Sequence, residues 1–182
     1  MSFKHKKKFG QNFLTDQREV LRKIMEVSNV QAEDTVLEIG PGEGALTALL
    51  LDTAKKVVTV EIDRDLEKIL RKKFDGNPKY TLVMNDVLET DLRAYVGAGT
   101  KVVANIPYYI TSPIINKLIE NRDVIDEIYI MVQKEVAERV CAKKGKERSV
   151  LTLAVEYYGE AFDAPRRTLV SLPPLKFHAQ AI

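Results

Sequence analysis

An α/β fold built on a doubly wound, mostly parallel sheet is the architecture this sequence predicts, on three observations. The 182 residues, 45% hydrophobic and 30% charged, have ordinary globular composition and a length that suits one domain of this class. Short apolar runs of strand character alternate with stretches of helical periodicity along most of the chain. One of these runs, Thr35-Val36-Leu37-Glu38-Ile39, feeds directly into the turn Gly40-Pro41-Gly42-Glu43-Gly44, which is followed by helical composition.

The elements follow in order. Asp16 with Glu19 marks a helix start, and Val20, Leu21, Ile24, Met25 and Val27 recur on one face up to Ser28. After the glycine turn, Ala45 to Leu51 is helical. A second strand is expected over Lys56 to Ile62, a helix over Leu66 to Phe74, a third strand over Tyr80 to Met84 and a fourth over Lys101 to Ala104. Ser112 and Pro113 suit the N-cap and first position of a helix through Ile114 to Glu120. Glu127 to Val132 reads as a fifth strand, with helices over Lys134 to Ala142 and Ser149 to Tyr157. Beyond Phe162, Pro165, Pro173 and Pro174 interrupt any strand pattern, so an irregular tail is expected. The chain reads as one domain over 1–182, with a basic segment over 1–15 and an atypical tail over 163–182.

Several function classes are excluded. A single cysteine, Cys141, gives no disulfide framework, and with only His5 and His178 no metal cluster can be assembled at usual ligand spacings. Cys141 reads as a small core residue. No run of about 18 apolar residues could span a bilayer, and no apolar signal segment opens the chain, so a soluble cytoplasmic protein without membrane contact is expected. Net charge is only +2, but Lys4 to Lys8 and Lys143, Lys144, Lys146 and Arg148 form two basic runs suited to phosphate or to plain solvation.

The glycine turn lies where doubly wound sheets bind cofactors, at the carboxyl ends of the strands. Gly40-x-Gly42 with Glu61, 21 residues after Gly40, also satisfies a loose dinucleotide pattern. The neighbouring acids argue otherwise, because Glu38 and Glu43 flank the place where a dinucleotide would put its pyrophosphate. At about 5 Å and an effective dielectric near 20, each carboxylate would repel a unit negative charge by roughly 3 kcal/mol. A cationic ligand without phosphate fits better, and S-adenosyl-L-methionine is one. Glu61 would then accept its ribose hydroxyls, and Asp86, in Asn85-Asp86-Val87 after the third strand, its adenine amine.

The fourth strand runs into Asn105-Ile106-Pro107-Tyr108, which is expected to carry the chemistry. An exocyclic adenine amine is a poor nucleophile because its lone pair is delocalised into the ring. Two acceptors, the Asn105 side-chain oxygen and the Ile106 backbone carbonyl, would draw the nitrogen towards tetrahedral geometry. Pro107 shapes the turn, and Tyr108 would stack on the flipped base, a contact worth about 1–3 kcal/mol. Positioning and electrostatics would supply most of the acceleration, with no protein nucleophile.

At this point the sequence resembles the S-adenosylmethionine-dependent ribosomal RNA adenine N6-dimethyltransferases. The resemblance rests on Phe9-Gly10-Gln11-Asn12-Phe13-Leu14, on Glu38 to Thr47, on Glu61-Ile62-Asp63 and Asn85-Asp86, and on Asn105 to Ile110 and Met131 to Ala137. The Pro41 loop and the Met131 to Arg139 stretch look more like the housekeeping small-subunit enzyme than the large-subunit resistance methylases. The resemblance implies a Rossmann-like methyltransferase fold with cofactor contacts at Asn12, Leu14, Gly40, Glu61, Asp86 and Asn105. It implies as substrate two neighbouring adenines near the 3′ end of small-subunit ribosomal RNA, with the 30S-type subunit as partner; the sequence leaves the oligomeric state open, a monomer being favoured. The basic runs would then contact phosphates, with steep salt dependence.

Two departures from the family pattern stand out. Where the family has an aromatic residue flanking the base, Ser171-Leu172-Pro173-Pro174-Leu175-Lys176-Phe177 has Ser171, so one wall of the base pocket is expected to be missing. The family's helical C-terminal domain is expected to be absent from a chain ending at Ile182. Two other readings follow: a ribosome-assembly module that keeps the fold without the chemistry, and an NAD-dependent oxidoreductase supported only by the loose glycine pattern.

Overall fold

A computed structural model describes residues 17–106, 110–132, 134–142, 144–145, 148–158, 160–164, 167–171 and 176–181. In chain order the elements are α1 (Gln17–Ser28), β1 (Thr35–Ile39), α2 (Ala45–Thr53), β2 (Lys56–Glu61), α3 (Arg64–Phe74) and β3 (Tyr80–Met84). A short 3-10 helix (Leu92–Ala94) leads into β4 (Thr100–Asn105), α4 (Thr111–Glu120), β5 (Ile125–Val132), α5 (Lys134–Cys141) and α6 (Val150–Tyr158). Three further strands close the chain: β6 (Glu160–Ala164), β7 (Arg167–Ser171) and β8 (Lys176–Ala181).

The strands form one sheet in the order β3-β2-β1-β4-β5-β8-β7-β6. Every pairing from β3 across to β8 is parallel, and the β7 pairings with β8 and β6 are antiparallel. From β1 the chain builds outward through β2 to β3, then returns to lay β4 on the other side of β1. The point where direction reverses, between β1 and β4, is where a doubly wound sheet opens a crevice.

Burial on both faces explains the nearly continuous apolar strands. Side chains alternate, so Val36, Val57 and Val103 join Ile24, Leu46 and Leu50 in one cluster with α1 and α2, against which Phe74 of α3 packs. Leu37, Val58 and Val102 face the other way, into Ile114, Ile115, Leu118, Val140, Leu151 and Val155 of α4, α5 and α6. The amino edge is tied by ions. Lys101 pairs with Asp34 at 2.8 Å, both only 13–14% exposed, and also donates to the Asn29 carbonyl at 3.1 Å. Arg93 grips both Asp123 oxygens at 2.9 and 2.7 Å and donates to Asn121 Oδ1 at 2.7 Å, joining the 3-10 helix to the end of α4. The carboxyl edge is left to loops.

Two expectations need correction. α4 starts at Thr111 with Ile110 at its cap, so Ser112 and Pro113 lie inside the first turn. That turn's N–H groups have no partner within the helix, which makes proline equally acceptable there. The tail is not irregular: β6, β7 and β8 occupy the stretches between the prolines, and β8 pairs parallel with β5, Ile128 opposite Phe177. Prolines 165, 173 and 174 lie outside the described residues.

Candidate functional site

The turn after β1 is held by backbone geometry. Gly40 N donates to the Val60 carbonyl at 3.0 Å, carrying the β1–β2 ladder one residue past Ile39. Gly42 follows at φ +58°, and its N–H points to Glu61 Oε2 at 3.2 Å. Gly44, at φ +83°, closes the turn by donating to the Pro41 carbonyl at 2.9 Å and begins α2. A Cβ there would stand 2.4 Å from Phe74 Cε2, so α3 has closed over a site that admits only glycine. Lys73 of α3 adds a bond from Nζ to the Glu43 carbonyl at 2.6 Å, while the Glu43 side chain is exposed.

Glu61, at the end of β2, is 5% exposed and accepts from Asp63 N at 2.8 Å as well as from Gly42 N. Burial raises its carboxyl above the ordinary value, and the amide bonds oppose that rise. It is therefore a held acceptor rather than a solvated strand-end acid, with lone pairs left on each oxygen. One strand further out, Asp86 uses Oδ1 to accept Leu88 N at 2.8 Å, and its carbonyl accepts the Thr90 hydroxyl at 2.7 Å. On the other side of β1, Asn105 ends β4 exposed, paired with Met131 of β5, while the Ile106 side chain is buried. A methyl built on Gly40 would lie 3.9 Å from the Asn105 carbonyl, so the two backbones run side by side across the crevice.

Asp86, Glu61, the glycine turn and Asn105 thus lie on adjacent strand ends in the order β3-β2-β1-β4. With strands about 4.8 Å apart, they span roughly 15 Å of sheet edge. Asn12, Leu14, Pro107 and Tyr108 lie outside the described residues, as do the side chains of Cys141 and Ser171.

Glu38 corrects the charge reading of the turn. Its carboxyl is 2% exposed and bonded through Oε2 to Thr47 Oγ1 of α2 at 2.7 Å. Burial pushes it up to about 8, against a smaller pull downward from Thr47, so at neutral pH it is a carboxylic acid and not a fixed negative charge. Two participants were missed from the sequence. Thr47 is the one hydroxyl among the buried positions of α2, which was the available signal. Ile62 is 61% exposed directly after Glu61, an apolar surface at the rim flanked by Glu61 and Asp63. Among the described residues no group of His, Cys, Asp and Glu could hold a metal, and no helix is long and apolar enough to cross a membrane.

The sequence model of the family described as ribosomal RNA adenine dimethylase matches residues 2–179. The chain belongs to this family. It is 66% identical over 176 residues to the ribosomal RNA small subunit methyltransferase A of Fusobacterium nucleatum, covering 95% of this chain and 67% of that protein. It is 44% identical over 181 residues to the protein of the same name from Lactococcus lactis, covering 94% and 61%. Among solved structures, a dimethyladenosine transferase from Plasmodium falciparum superposes with a TM-score of 0.72 at 34% identity, over 82% of this chain and 54% of that one. The 23S rRNA methyltransferase ErmE does so at 0.69 and 33%, over 84% and 61%. The fold is the Rossmann-like one of the methyltransferases. The chain spans 55 to 67% of the length of the curated relatives it matches.

Proposed function

We propose that the chain is the catalytic domain of an S-adenosylmethionine-dependent N6-dimethyltransferase acting on neighbouring adenines of small-subunit ribosomal RNA. One observation carries this: in a member of the ribosomal RNA adenine dimethylase family, the glycine turn, Glu61, Asp86 and Asn105 follow one another on adjacent strand ends at the switch point. The donor set fits the cofactor, since the roughly 15 Å edge suits an extended nucleoside with an amino-acid arm. S-adenosylmethionine, when bound, supplies an electrophilic methyl group on a positively charged sulfur.

The chain's own residues do the rest. Glu61 is buried and preset by two backbone amides, ready to accept ribose hydroxyls without reorganising. Asp86, its Oδ1 engaged by Leu88, offers Oδ2 to the adenine amine, and exposed Ile62 offers the ring an apolar face. Asn105 and the Ile106 carbonyl orient the target amine, and the family resemblance assigns Pro107 and Tyr108, next in the sequence, to the base. α1 ends at the amino edge, where Asn29 meets Lys101, and packs back over β5. Its first turn therefore lies towards the opposite edge, which supports Asn12 and Leu14 as cofactor contacts. The partner inferred for it is the 30S-type subunit, and its place the cytoplasm.

Titration calorimetry with S-adenosylmethionine and NADH, together with methyl-label transfer to undermethylated small subunits, tests the proposal. Donor binding and label at N6 of adenine are expected. NADH binding without donor binding overturns the reading, and donor binding without label leaves an assembly module in its place.

A further inference from the structure

Glu38 has no part in the roles assigned above, yet it is a carboxyl group sealed at the root of the glycine turn. Its one bond among the described residues comes from Thr47 Oγ1, in the first turn of α2. Among the described residues, the neighbouring elements bring the following groups. β2 brings Glu61, which repels an ionised Glu38, and Thr59, whose hydroxyl is bonded to Tyr80 of β3 at 2.9 Å. α3 brings Lys73, but its ammonium is spent on the Glu43 carbonyl, and Glu43 itself is exposed. β4 brings Asn105 at the near end, while Lys101, at the far end, is paired with Asp34. No cationic side chain pairs with Glu38 among the described residues. Burial and Glu61 together keep the proton on it in the ligand-free protein.

What this buried carboxyl lacks is a positive charge, and the ligand argued above carries a sulfonium and an ammonium, the latter balanced by its own carboxylate. Resting on that reading, we propose that Glu38 is a positioning residue that ionises when the sulfonium-bearing methyl donor settles on the glycine turn, and so favours the donor over its neutral-sulfur product. The proton passes to solvent. The resulting carboxylate, still held by Thr47, anchors the start of α2 beneath the turn while the donor is present. When the sulfur loses its charge, the reason for keeping Glu38 ionised weakens, the proton returns and the product is released more readily. The thermodynamic requirement is linkage: a ligand that binds the ionised form preferentially must bind more tightly as pH rises through the titration of the free protein.

Calorimetry of the chain with S-adenosylmethionine and with S-adenosylhomocysteine, from pH 6.5 to 8.5 and in buffers of differing ionisation enthalpy, reads this directly. With the free carboxyl titrating at about 8, donor affinity should rise by up to about 25-fold across that range, with close to one proton released at pH 7. The product should show a smaller rise. Glu38→Gln keeps an acceptor for Thr47 and should lose the Glu38-dependent proton and the steep rise, which also subtracts any titration of the donor's own amine. In the unmutated chain, the infrared band of a buried carboxylic acid should disappear on donor binding, a readout that does not need the variant to fold. Identical proton release by both chains, or a carboxylic-acid band that persists with donor bound, overturns the inference and leaves the functional reading intact. Absence of donor binding by the unmutated chain overturns both.

Discussion

Gly44→Ala offers a sharp test of how the glycine turn is built. The residue sits at φ +83° and a Cβ there would come 2.4 Å from Cε2 and 2.9 Å from Cζ of Phe74. Two penalties add: about 1–2 kcal/mol for holding a non-glycine residue left-handed, and about 1–3 kcal/mol for forcing a methyl against a packed ring. Gly42 separates them, because it is also left-handed, at φ +58°, but a Cβ there meets nothing within 4 Å. Gly42→Ala should therefore show the backbone penalty alone. Taking ~2 kcal/mol for the ring contact, thermal unfolding by circular dichroism should place Gly44→Ala roughly 4–8 °C below Gly42→Ala in a chain of this size. Shrinking the obstacle with Phe74→Leu should bring the Gly44→Ala penalty down to that of Gly42→Ala. Equal melting temperatures for the two glycine variants, or a penalty unchanged by Phe74→Leu, would refute the account of why α3 and the turn fit together.

On the proposed role, in which its amide acts on the target amine, Asn105→Ala should reduce turnover more than cofactor affinity; equal losses in kinetics and calorimetry would make it mainly a cofactor ligand. Asp34→Ala should destabilise the fold by about 1–3 kcal/mol in urea titration, because it strands the poorly exposed Lys101 ammonium and the Gln31 amide. Arg22→Ala, whose pair with Glu26 is 70% and 53% exposed, should change stability by less than about 0.5 kcal/mol, and matching losses would count against the buried pair. Glu38 holds a proton in the folded chain up to about pH 8 that an unfolded carboxyl gives up near 4.5. The stability this proton lends is complete below the lower value and is lost as pH rises through the upper one, at no more than about 1.4 kcal/mol per pH unit. Stability of Glu38→Gln relative to the unmutated chain should accordingly climb between pH 5 and 8, and a constant difference would contradict the buried acid.

The strand-turn-helix unit was readable because glycines at Gly42 and Gly44 are demanded by local backbone geometry, and local demands are written in consecutive residues. Glu61, Asp86 and Asn105 were readable for a related reason: parallel strands put their last residues on one edge whatever the loops do. The start of α4 was displaced because a proline is tolerated throughout a helix's first turn, so Pro113 does not specify one position within it. The terminal strands were missed because the prolines between them masked short runs whose partner, β5, is distant in sequence. The state of Glu38 was hidden more deeply. A carboxyl's charge depends on what closes over it, and neither α2 nor the neighbourhood of Glu61 is visible in the five residues of β1. Asn12, Leu14, Pro107 and Tyr108, which carry the resemblance, fall outside the described residues.

The alternation along β1 has a bearing on how the chain finds its native pairing. Val36 and Glu38 look towards α1 and α2, Leu37 and Ile39 towards α4 and α6. A slip of one position during assembly would drive the carboxyl among Ile114, Ile115 and Leu118, away from the Thr47 hydroxyl that bonds it. Beside the interchangeable aliphatics Val36, Leu37 and Ile39, that single acid tells the correct alignment from its nearest misfolded neighbour.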